Sequence, residues 1–81
     1  MPYLTIRAVN SAFDVSDQGG EYPDTEAAYR AAVTAAVAMA QEEITSGANV
    51  AIVETCIEDS NGNQVARGVV SIATSRLQIP A

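Results

Sequence analysis

From Asp24 to Ser46 the chain reads DTEAAYRAAVTAAVAMAQEEITS, and between Ala31 and Ala40 it carries no charge. Alanine has the highest intrinsic helix propensity, and no proline or glycine interrupts the run. Both ends carry stop and start signals. Pro23 keeps Tyr22 extended. Asp24 follows as an N-cap whose carboxylate can accept orphan backbone N–H groups. Glu26 adds negative charge to the first turn, where the helix dipole favours it. Gly47 suits the left-handed position after a helix. A helix over 24–46 is about 33 Å long at 1.5 Å per residue, enough to cross strands of eight residues or so.

The flanking segments read as strands. Residues 2–9 alternate, with Leu4, Ile6 and Ala8 on one face and Tyr3, Thr5, Arg7 and Val9 on the other. Asn10-Ser11 marks a turn, residues 13–15 give a short second strand, and Asp17-Gln18-Gly19-Gly20 ends it. Residues 50–59 and 64–74 flank Ser60-Asn61-Gly62-Asn63, a hairpin signal. With a two-residue turn at Asn61-Gly62, Ala51, Val53, Thr55 and Ile57 share a face with Ala66, Gly68, Val70 and Ile72. The other face then carries Ile52, Glu54, Cys56, Glu58, Val65, Arg67, Val69 and Ser71, with Arg67 opposite Cys56. A three-residue loop bulged at Gly62 is the competing geometry, which shifts the register by one. The order is β-β-α-β-β. The expected architecture is α+β, an antiparallel sheet with one long helix packed on one face. At 81 residues a single domain spanning 1–81 is expected.

Such a chain buries only about 60% of its unfolded surface. One cysteine, Cys56, excludes an intrachain disulfide, and with no histidine it has no metal-ligand partner. Association is the remaining way to support a thin core. The helix shows two apolar stripes side by side. Ala28, Ala32, Ala35, Ala36 and Met39 form a small-residue stripe; Tyr29, Val33, Val37, Ala40 and Ile44 form a bulkier one. Together they cover roughly 200°, where a surface helix needs little above about 100°. Either a broad sheet covers the whole arc, or one stripe packs on the sheet and the other on a partner. The second reading is preferred, with Tyr29, Val33, Val37, Ala40 and Ile44 as the association surface of a homodimer or of a complex with another protein.

Catalysis is not expected. Without histidine there is no Ser-His or Cys-His pair, and without lysine no Schiff base or P-loop lysine. Cys56 lies mid-strand beside Glu54 and Glu58, which disfavour its thiolate. Asp14, Asp17, Glu21 and Asp24 gather around the second turn but do not match a calcium loop. No metal or cofactor is expected. The net charge of −6 rests on only four basic residues, Arg7, Arg30, Arg67 and Arg76. That field repels nucleic acid and anionic membranes. No apolar run approaches the ~20 residues of a membrane span, and Met1 to Asn10 lacks the pattern of a signal peptide, so a cytoplasmic protein is expected.

Residues 16–28, SDQGGEYPDTEAA, resemble a family of small bacterial domains of unknown function, DUF6894, in the pattern D-x-x-G-x-E-L-P-D-x-E-A-A. Asp17, Gly19, Glu21, Pro23, Asp24, Glu26, Ala27 and Ala28 match; Tyr22 stands where the family usually has leucine. The Met1-Pro2 start and the Ile57 to Val70 hairpin fit as well. The resemblance implies the fold and brings no activity. Helices of the family carry more arginine and glutamate than Ala31 to Ala40, which sharpens the expectation of association. Two other readings remain: a ligand or metal site in the acidic loop from Asp14 to Asp24, and an antitoxin-like regulator that pairs Arg7 with Arg76 across two subunits.

Overall fold

A computed structural model describes residues 3–10, 14–16 and 19–78. In chain order the elements are β1 (Tyr3–Val9), β2 (Asp14–Ser16), β3 (Gly20–Glu21), α1 (Thr25–Thr45), β4 (Val50–Glu58) and β5 (Gln64–Ala73). All the pairings are antiparallel. The sheet runs β2-β1-β4-β5, and β3 pairs with the start of β1 on the edge that β2 also uses. Helix α1 contacts β1, β4 and β5, which makes the fold α+β with one helix on one sheet face. The short second strand falls at Asp14–Ser16, one residue later than expected. Phe13, placed in it by the sequence, lies outside the described residues. The two residues of β3 form a strand that the sequence does not announce, since Gly20 reads as part of a turn. Their ladder is Tyr3 to Glu21 and Leu4 to Gly20.

The helix ends are fixed by local hydrogen bonds. Asp24 Oδ1 accepts from the Ala27 N–H at 2.8 Å, which satisfies a donor with no partner inside the helix. At the other end the Gly47 N–H donates to the Ile44 carbonyl and the Ala48 N–H to the Glu43 carbonyl, each at 3.1 Å. With Gly47 at φ 113° this is a Schellman closure, which needs a residue free of a Cβ.

The hairpin combines both geometries that the sequence left open. From Val50↔Ala73 to Ile57↔Ala66 the register is the expected one, with Cys56 opposite Arg67. The turn itself is the three-residue alternative. The Gly62 N–H donates to the Asp59 carbonyl at 3.0 Å, and the Asp59 N–H to the Asn63 carbonyl at 2.9 Å. A two-residue type I′ turn would require positive φ at Asn61 as well as Gly62. Only Gly62 adopts it, at φ 84°. The Asp59 carboxylate accepts from the N–H groups of Asn61 and Asn63, both at 2.9 Å, which holds the wider loop. An irregularity between Ile57 and Glu58 then takes up Val65 as an extra residue, and the register beyond it is restored.

The core lies between α1 and the sheet and is built from small residues. Among the described residues, six of the nine buried apolar side chains are alanines: Ala8, Ala28, Ala32, Ala36, Ala40 and Ala51. Leu4, Val53 and Ile57 are the rest. A buried methyl is worth about 0.8 kcal/mol, against about 1.5–3 for a buried Val, Leu or Ile, so this core is thin. Ala28, Ala32, Ala36 and Ala40 form a strict i, i+4 line on the sheet-facing side of the helix. Their small size lets the helix backbone lie low on the strands. Met39 and Ile44 close one end of the layer, and Tyr22 and Tyr29 the other.

Candidate functional site

The residues expected to form an association surface on the helix are divided by the structure. Ala40 is fully buried against Ala8, Ala51 and Val53, so it has no surface to offer a partner. Its burial corrects the division into stripes: the sheet-facing line takes Ala40 from the bulkier stripe and leaves Ala35 exposed. Ile44 is half-buried and packs beside Ala40. Tyr29 lies over the sheet, where a Cβ added to Gly68 would meet its hydroxyl at 2.6 Å. Val33 is half-buried beside Arg30 and Thr34, on the rim of a 260 Å³ hollow. Val37, at 41% exposure, is the one large apolar side chain of α1 that is exposed. The helix therefore presents Val37 among Thr34, Ala38, Gln41 and other exposed residues.

The larger apolar surface is on the opposite face of the sheet. Strand β4 alternates strictly, sending Ala51, Val53, Thr55 and Ile57 to the helix and Val50, Ile52 and Glu54 to the open side. Val50 is 55% exposed, Ile52 54% and Val69 61%. The ladder places them together. Val50 is opposite Ala73, Ile52 opposite Ser71, and Glu54 lies between Val9 and Val69 in one row. Ile52 and Val69 are diagonal neighbours, within reach across one rung. Val65 adds a further exposed valine beyond Arg67.

Charges border the apolar residues on that face. Arg7, Cys56 and Arg67 form one row across β1, β4 and β5. The Arg7 guanidinium lies 4.0 Å from the Glu58 carboxylate. Burial pushes the Cys56 thiol up, Glu58 adds to the rise, and Arg7 and Arg67 oppose it. The thiol is thus held protonated by burial before charge, where the sequence suggested charge alone. At one end of the patch a hollow of about 430 Å³ is lined by Val9, Asn10, Glu43, Val50, Ile52 and Glu54. Asn10 Nδ2 donates to Glu43 Oε1 at 2.7 Å and ties the end of β1 to the helix.

One buried polar atom interrupts the covered face. Thr55 is 2% exposed, and its Oγ1 has no hydrogen-bond partner. It lies beside Gly68 and under Tyr29, 2.9 Å from where a Gly68 Cβ would stand.

The acidic segment before the helix serves structural roles. Asp24 caps α1. Glu26 pairs with Arg30 at 3.3 Å along the exposed helix side. Glu21 is exposed in β3, and Asp17 lies outside the described residues. Among the described residues, no three carboxylate or thiol groups converge as a metal site would require. Gly19 adopts φ 101°, and a Cβ there would stand 2.5 Å from Tyr3 Cε1. Glycine is needed on both counts. Along Gly19, Glu21, Pro23, Asp24, Glu26 and Ala28 the shared motif therefore reads as the device that ends β3 and launches the helix. Among the described residues no helix is long and apolar enough to cross a membrane.

The pattern of DUF6894, a domain of unknown function, matches residues 5–71. The chain belongs to this family. No curated protein and no solved structure matches it.

Proposed function

We propose that this protein is a non-catalytic association module whose working surface is the open face of its sheet. The observation that carries the reading is the cluster of Val50, Ile52 and Val69, each more than half exposed, on the face that α1 leaves uncovered. Contiguous exposed apolar surface rimmed by charge is the mark of a protein contact. The thin alanine core supports the same reading, because a chain with little buried volume gains most from covering a second layer. The association expected from the helix is thereby transferred to the sheet. Val37 is the helix residue that could extend it.

Position-specific cross-linking in the native cell tests this. A photo-cross-linking residue at Ile52 or Val69 is expected to form protein adducts, and one at exposed Ala38 on the helix is not. Adducts at Ala38 with none at Ile52 or Val69 would overturn the proposal.

A further inference from the structure

We infer that the occupant of the open sheet face is a second copy of this chain, packed face to face so that two sheets form the inside and two helices the outside. This rests on the open face being the association surface. The first argument is charge. The three central strands β1, β4 and β5 carry on this face Arg7 and Arg67 against Glu54 and Glu58, which sum to zero, while Asp14 of β2 and Glu21 of β3, opposite Val9 and Tyr3, stand at its acidic edge. The whole chain is −6. Like-charged copies repel where the acidic remainder meets itself, whereas a balanced face can meet its own copy with arginines set against glutamates. A three-strand centre that carries both signs in equal number is self-complementary in the way an isologous two-fold contact requires, with the acidic β2–β3 edge left outside the footprint.

The second argument is area. Three strands about 4.8 Å apart and roughly nine residues long, at about 3.3 Å per residue, give a footprint of roughly 430 Å² per copy. Corrugation by side chains raises the accessible area, which brings two copies to about the 1,000 Å² that a specific contact needs. The helix offers no comparable area, since Val37 is its one exposed large apolar residue. Sheets stacked in this way lie about 10 Å apart, a spacing that Val50, Ile52 and Val69 from both copies can fill.

Cys56 supplies the readout. It is the one cysteine, and it stands between Arg7 and Arg67 on this face, so a face-to-face dimer covers it. Sedimentation of the purified full chain from about 1 to 500 µM is expected to show a monomer–dimer equilibrium. Over the same range the rate of maleimide addition to Cys56 is expected to fall at least tenfold. Ile52→Lys and Val69→Lys should give monomers with unchanged circular dichroism and a concentration-independent rate, and Val37→Lys should leave the dimer intact. A dimer that leaves the Cys56 rate unchanged would overturn the inference and place the contact on the helix or the β5 edge. Monomers throughout would also overturn it. If cross-links still formed at Ile52 and Val69 in the cell, the association reading would survive with a different partner. Should the lysine variants fail to fold, Cys56 protection in the unaltered chain decides alone.

Discussion

The two faces of this sheet differ in what accompanies their large apolar side chains. The face under the helix mixes Leu4, Val53, Ile57, Val70 and Ile72 with the small residues Ala8, Ala51, Ala66 and Gly68, while the open face mixes Val50, Ile52, Val65 and Val69 with Arg7, Glu54, Glu58 and Arg67. Branched residues therefore stand on both faces, interleaved with methyls and glycine on one and with charges on the other. The difference teaches that small residues on the helix and between the branched ones keep the covered layer thin. An alanine line on α1 lets the helix lie low on the strands, and a low helix tolerates little volume beneath it. The open face has no such ceiling, so its bulk is free to meet something else.

Adding volume under the helix tests that reading most severely. Ala36 is fully buried, and Ala36→Leu is expected to cost about 3 kcal/mol in urea unfolding, because a larger side chain must lift the helix or distort the strands. A loss below about 1 kcal/mol would show that the layer has room to spare. A smaller addition at Gly68 should cost about 2 kcal/mol, since the new methyl meets both Tyr29 and Thr55 Oγ1 at under 3.0 Å. Relief by the double variant Gly68→Ala/Tyr29→Ala would assign the strain to the ring.

Thr55 gives a prediction of opposite sign. Its hydroxyl is buried with no partner, so Thr55→Val is expected to raise stability by about 1 kcal/mol, read as a higher denaturant midpoint at constant slope. A loss would mean that the hydroxyl finds a partner, with the Tyr29 hydroxyl nearby as the candidate. The smallest effect belongs to the open face. Val69→Thr should change the unfolding free energy of dilute protein by less than about 0.5 kcal/mol, because the side chain is largely exposed. An effect as large as that of Ala36→Leu would erase the contrast between the faces.

The features legible in the sequence are those fixed by neighbours in the chain. The carboxylate of Asp24 and the left-handed Gly47 mark the helix ends through bonds to residues three to five positions away. The alternation of β4 marks its two faces, and the pairing of Cys56 with Arg67 expected from a two-residue turn is met because the Val65 bulge offsets the three-residue loop. The facing of the helix was harder to read. A line of alanines set among further alanines has little amphipathic contrast, so Ala35 and Ala40 exchange sides at almost no cost in hydropathy. That ambiguity also moved the expected contact surface to the helix. The uncharged run from Ala31 to Ala40 reads as surplus apolar surface, although much of it packs toward the sheet or is only a methyl. The residues of the open face were all legible as a face. Their exposure depends on the chain having one helix for a sheet with two sides, which is a property of the assembled layers.

The hairpin tip has a consequence of its own. The extra loop residue and the extra Val65 are slips of opposite phase, and they cancel before Ile57↔Ala66. The same stretch of chain could close as a tight two-residue turn with no bulge and leave the eight rungs from Val50 to Ile57 where they are. The tip thus acts as a vernier at the end of a rigid rule. Changes in turn geometry are absorbed within the last rungs and do not reach the Arg7–Cys56–Arg67 row.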